Sequence, residues 1–267
     1  MPTPDRSAIR DAIMLYSNFA AILAGFAFTA VIVIISHFLP RERLSGARDQ
    51  ELGEILTVGI SAFFSLSITA VTQGTVVVAS DDVYRTALGG LLSGLSLSFS
   101  ALLLTLFLVL LLEALSPESA AAKYTRHILG QVLPLLCFAN QQGPLEECLH
   151  NKFGNSVPIP VRIVLGCFFV ILVSWSIVGF LAYGRGTVAA AAARYAISRA
   201  GVRRLVFGTL CACLASTTAT ALYMNYSKPG SAVGLGVMMG VMTLAFLGFL
   251  GFSVCTFLSR PTPRPAD

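Results

Sequence analysis

The chain has 267 residues, 55% of them hydrophobic and only 12% charged, with a formal net charge of +5. A soluble domain carries about 25% charged residues, and a mean hydropathy of +0.79 excludes a water-soluble globule. The excess charge is scattered over the connections between apolar blocks, which suits orientation toward anionic lipid and not a nucleic-acid-binding surface.

Fifteen Arg against three Lys, with abundant Ala, Gly and Leu, point to a GC-rich bacterial genome and to the cell (inner or plasma) membrane as the location. The first apolar block, 12–39, follows Arg6 and Arg10. It far exceeds the 7–15 residues of a cleaved signal's apolar core, so it reads as a signal-anchor and first span. Its run Ala24-Gly25-Phe26-Ala27-Phe28 is similar to a run in the first helix of Orai-type calcium channels. The region Val31 to Ile35 has no acid to match the pore glutamate of those channels, so the chain is not assigned to that family.

Five further spans follow, each long enough for the roughly 20 apolar residues that a membrane helix needs: 54–80, 86–115, 161–183, 204–226 and 231–258. The expected fold is therefore an all-α polytopic bundle of six transmembrane helices. The 116–160 connection is expected to add one helix, interfacial or re-entrant. Ser116-Pro117-Glu118 is a good helix start, and Tyr124, Ile128, Leu129, Val132 and Leu133 recur at helical spacing. The apolar part from Ile128 to Ala139 is too short to span and contains Pro134. An amphipathic helix in the interface is the first reading, a re-entrant segment the second.

Orientation follows from Lys and Arg counted by side. Six spans divide them ten to eight, and the connection with Arg185, Arg194, Arg199, Arg203 and Arg204, which holds no acid, decides the matter. Both termini are then expected in the cytoplasm and 116–160 outside. Cys137 and Cys148 share that outer connection and could form a disulfide there. The two triplets of spans share a coarse plan, with Ser/Thr-rich middle members and Gly-rich starts to the last members. Three helices per half would make such a repeat inverted.

The second span carries the clearest candidate site. Thr57, Ser61, Ser65, Thr69 and Gln73 recur every four residues, with Thr72 beside the last, and so form one polar ridge along a helix. The fifth span has a shorter version in Thr209, Cys213, Ser216, Thr217 and Thr220. Such ridges can line a path for a small neutral solute, or they can serve helix packing, since small hydroxyl residues let backbones approach. Gly90, Gly94 and Ser98 in the third span, and Gly236 and Gly240 in the sixth, read as packing faces.

No Asp, Glu, Lys, Arg or His stands at the middle of a span. This argues against proton pumping through a buried carboxylate and against voltage sensing. The sequence holds no zinc or nucleotide motif and no Ser–His pair within a span, so no enzyme, metal or cofactor is expected. The lipid bilayer is the expected partner, with a second copy or another membrane protein on the small-residue faces. The two functions expected are a channel or carrier for a small neutral solute, and a non-transporting partner, assembly or sensory subunit.

Overall fold

The structure, a computed structural model, describes residues 6–38, 46–79, 83–115, 120–154, 157–184, 199–226 and 234–258. The elements are α1 (Arg6–Phe38), α2 (Gly46–Ala79), α3 (Val83–Leu115), α4 (Ala120–His127), a π-helical turn (Ile128–Val132), α5 (Leu133–Asn140), α6 (Gln142–Phe153), α7 (Ile159–Gly184), α8 (Arg199–Tyr226) and α9 (Leu235–Leu258). Six of these helices are long and apolar enough to cross a membrane, over Arg10–Ser36, Leu52–Val78, Arg85–Leu115, Ile159–Leu181, Arg203–Tyr226 and Leu235–Thr256. The protein is thus an all-α polytopic membrane bundle.

Its helices are built for lipid. On α1, the buried positions Ala20, Ala24, Ala27, Val31 and Ile34 recur at steps of three and four, while the bulky Phe19, Ile22, Phe26 and Ile32 are exposed. Small residues inward let α1 approach α2, and large apolar ones outward meet acyl chains. Gly59 of α2 is a point of close approach between α1, α2 and α3. A Cβ there would come within 2.7 Å of Phe107 on α3 and 2.8 Å of Val31 on α1.

α3 is the central helix, with every residue from 91 to 100 buried. α1, α2, α4, α5, α6 and α8 all pack on it. Helix directions follow from the pairs that meet. Ser17 and Val31 of α1 meet Ala70 and Gly59 of α2, and Ser65 and Thr69 of α2 meet Ser100 and Ser96 of α3, so α1, α2 and α3 run up, down and up. Glu54 meets Arg203 and Ser65 meets Cys213, so α8 runs parallel to α2. Phe99 of α3 meets Phe249 of α9. Phe138 of α5 meets Phe246 of α9 and Phe168 of α7.

The 116–160 connection is where the arrangement departs most from the interfacial helix expected. From α4 onward it enters the bundle, antiparallel to α3. Arg126 pairs with Glu113 at 2.6 Å, Cys137 donates to the Ser98 carbonyl at 3.8 Å, and Gln141 donates to Ser98 Oγ at 3.0 Å. Arg126, Cys137 and the Gln141 Nε2 find partners on α3, so this stretch packs inside the protein instead of presenting a solvated face to water. Cys137 and Cys148 are both free and buried. The disulfide that the sequence allowed between them is not formed, and each thiol packs in the core on its own helix. Gly154, at φ 58°, closes α6 in a backbone region where glycine is favoured.

The inverted repeat is also not the arrangement found. α7–α9 follow the directions of α1–α3, since α8 is parallel to α2, and α9, with Phe246 beside Phe138 and Ser253 beside Gly130, runs antiparallel to the segment that is itself antiparallel to α3. The packing differs too: α1 lies along α2, whereas α7 packs on α5, the π turn and α9.

Candidate functional site

At mid-bundle the polar ridge of α2 meets α3 and α8 in a closed knot. Ser65, Thr69, Ser96, Ser100 and Cys213 are all fully buried or nearly so. Ser65 Oγ lies 2.5 Å from Ser100 Oγ and donates to Cys213 Sγ at 2.8 Å. Thr69 Oγ1 lies 2.7 Å from Ser96 Oγ, and Ser96 Oγ lies 3.1 Å from Cys213 Sγ. Thr69 and Ser100 also donate to the carbonyls one turn back, Ser65 O and Ser96 O, each at 2.8 Å. Every member is satisfied within the knot, the condition under which buried polar groups hold helices together without penalty.

One turn toward the start of α2 the helices part. Gly53, Glu54, Thr57, Val58 and Ser61 of α2 face Arg203, Val206, Phe207 and Leu210 of α8 across a cleft of about 700 Å³. Glu54 and Arg203 close its mouth with a 2.9 Å ion pair. The cleft is apolar at its walls, with two hydroxyls along one side, and its inner end lies next to the knot.

A second polar locus sits at the π turn. Leu133 N–H reaches back to the Ile128 carbonyl, the five-residue step of a π-helix. Pro134 has no N–H to give the carbonyl four residues back, Gly130 O. Ser253 of α9 donates to that carbonyl instead. The chain's single Trp, Trp175 of α7, donates Nε1–H to Ser253 Oγ at 2.8 Å. Ser176 donates to Gln131 O at 2.6 Å. The wide turn is therefore fastened by α7 and α9. Gln131 is buried against Gly179, and neither atom of its amide has a hydrogen-bond partner among the described residues. The same holds for Oε1 of Gln141 and of Gln73.

The structure divides the sequence-predicted path. Thr57 and Ser61 line the cleft, and Ser65 and Thr69 are in the knot. Thr72 donates to Ile68 O, and Gln73 is buried beyond it. On α8, Thr209, Ser216, Thr217 and Thr220 all turn their hydroxyls to their own helix backbone. Of the packing residues, Gly90 faces Ile13 of α1, and Gly94 faces the Gln141 amide. Ser98 accepts the bond from Gln141. Gly236 and Gly240 are exposed and have nothing within 4 Å of a Cβ.

Gln131, Trp175, Ser176 and Ser253 were not singled out by sequence. The one available signal was Pro134, which frees a carbonyl four residues earlier and so asks for a donor elsewhere. No protein-family model matches the chain, and no curated protein or solved structure is significantly similar to it.

Proposed function

We propose that the protein passes a small, neutral, hydrogen-bonding solute across the cell membrane, with the α2–α8 cleft as a vestibule and the hydroxyl–thiol knot as its closed constriction. The observation that carries this reading is the junction of the two. Thr57 and Ser61 line the cleft, and Ser65, the next residue of the same ridge, is already in the knot. Past the paired Glu54 and Arg203 at the mouth, the groups along the route are hydroxyls, a thiol and an amide, which offer hydrogen bonds and no charge. A hydroxylic solute can replace one neutral hydrogen bond with another at little cost, whereas a bare ion would have to leave its hydration behind.

Light-scattering swelling of proteoliposomes in glycerol, urea and short polyols tests the reading. At least one solute should enter faster than in protein-free vesicles, and Ser61→Leu, which fills the cleft, should slow it severalfold. Gln73→Leu should do the same from the far side of the knot. No enhanced flux for any solute of the panel would sink the proposal.

A second reading, a non-transporting assembly or sensory subunit, has one observation in its favour. Gly236 and Gly240 of α9 face outward beside exposed Val237 and Leu244, a surface suited to close helix contact with a second copy or another membrane protein. Native mass measurement in lipid discs, with Gly240→Leu as the disrupting variant, distinguishes a dimer from a monomer.

A further inference from the structure

We infer that the segment from α4 to α6 completes a seventh crossing of the membrane, so that residues 6 and 258 lie on opposite faces and the face holding residue 258 is cytoplasmic.

Two independent observations carry this. The first is geometric. α3 ends on the face where α2 and α8 begin, because Glu54 of α2 meets Arg203 of α8. α7 must reach that same face to hand the chain to α8. It does so by running antiparallel to α4–α5, with Phe168 beside Phe138, Ser176 beside Gln131, and Phe180 beside His127. The intervening segment must therefore go the other way. Arg126 starts beside Glu113 near the end of α3, and Asn140 finishes beside Tyr16 near the start of α1, whose hydroxyl donates to Asn140 Oδ1 at 3.2 Å. Between these anchors, Arg126 to Asn140, the chain rises about 21 Å at 1.5 Å per residue, most of the roughly 30 Å hydrocarbon layer, and α6 carries it on to the start of α7. A polar, broken segment is tolerated at that depth when it is enclosed by protein, and here α3, α7 and α9 enclose it.

The second observation is the distribution of positive charge. Counted with the nearest helix end in a seven-crossing chain, Arg6, Arg10, Arg85, Lys152, Arg162 and Lys228 fall on the face where α1 starts. The remaining twelve of the eighteen Lys and Arg fall on the other. Six crossings divide the same residues ten to eight. The Lys/Arg excess marks the cytoplasmic side, so the seventh crossing turns a nearly even split into a two-to-one bias. The Arg-rich connection between α7 and α8 is cytoplasmic in both arrangements. The face that changes is that of residue 6.

The test places one reporter cysteine on each side of the segment, in the full chain with Cys167→Ala and Cys211→Ala to remove the two exposed native thiols. In sealed right-side-out vesicles, a membrane-impermeant maleimide should label Asn155→Cys at once and Ser119→Cys only after permeabilisation. Protease accessibility of terminal tags on the unsubstituted chain is the second measurement, with the N-terminal tag cut from outside and the C-terminal tag protected. Labelling of positions 119 and 155 from one side, or both tags on one side, would overturn the crossing. Opposite sides with the N-terminal tag inside would overturn the orientation.

Discussion

Gly59 and Gly240 are both glycines on spanning helices, yet they differ in what surrounds them. A methyl at Gly59 would collide with Phe107 and Val31, and overpacking of this kind costs about 1–3 kcal/mol. Gly59→Ala should therefore lower the thermal midpoint of detergent-solubilised protein, while Gly240→Ala, with open space around it, should stay within about 0.5 kcal/mol of the parent. At this scale the sequence was informative about which residues are polar and on which face. It was silent on partners. The four-residue spacing of Thr57 to Gln73 defines a ridge, but whether Ser65 meets water or Cys213 depends on where α8 lies, and no local pattern encodes that.

The π turn and its fastenings belong to the scale of elements. The Trp175–Ser253–Gly130 chain replaces a backbone bond that Pro134 cannot make. Ser253→Ala removes the acceptor of this indole bond and the donor to the Gly130 carbonyl. It should shift the emission of the single Trp and lower stability by about 1–3 kcal/mol, because a buried carbonyl loses its partner; fluorescence-monitored unfolding reads both. The six apolar spans were legible because each is long, uncharged at its centre and bounded by charge or proline. The α4–α6 segment was not. A 3.6-residue apolar pattern with Lys123 and Arg126 on its other side describes an interfacial helix as well as it describes a helix whose charges are paired inside. The tertiary partners, Glu113 for Arg126 and Ser98 for Cys137 and Gln141, separate the two.

For the molecule as a whole, the cleft is the feature to probe. Arg203 is largely exposed, and an exposed ion pair contributes about 0–1 kcal/mol. Arg203→Ala should leave the thermal midpoint nearly unchanged while it alters solute flux in proteoliposomes, since Arg203 stands at the mouth of the cleft. The bundle's class was open to sequence reading, whereas the handedness of its path through the membrane was not: one crossing more or less reverses every helix after α3, and hydropathy alone does not register a crossing hidden among others. That hidden segment also has a consequence for how the protein is made. A stretch that carries Lys123, Arg126 and His127 at one end and Gln131, Pro134 and Gln141 within it is too polar and broken to leave the translocon for lipid unaided, because polar groups without partners are costly in hydrocarbon. It should be accommodated only when α7 and α9 have emerged to enclose it. Nascent chains halted before α7 should then hold residues 120–153 outside the bilayer, open to protease, and chains released after α9 should protect them.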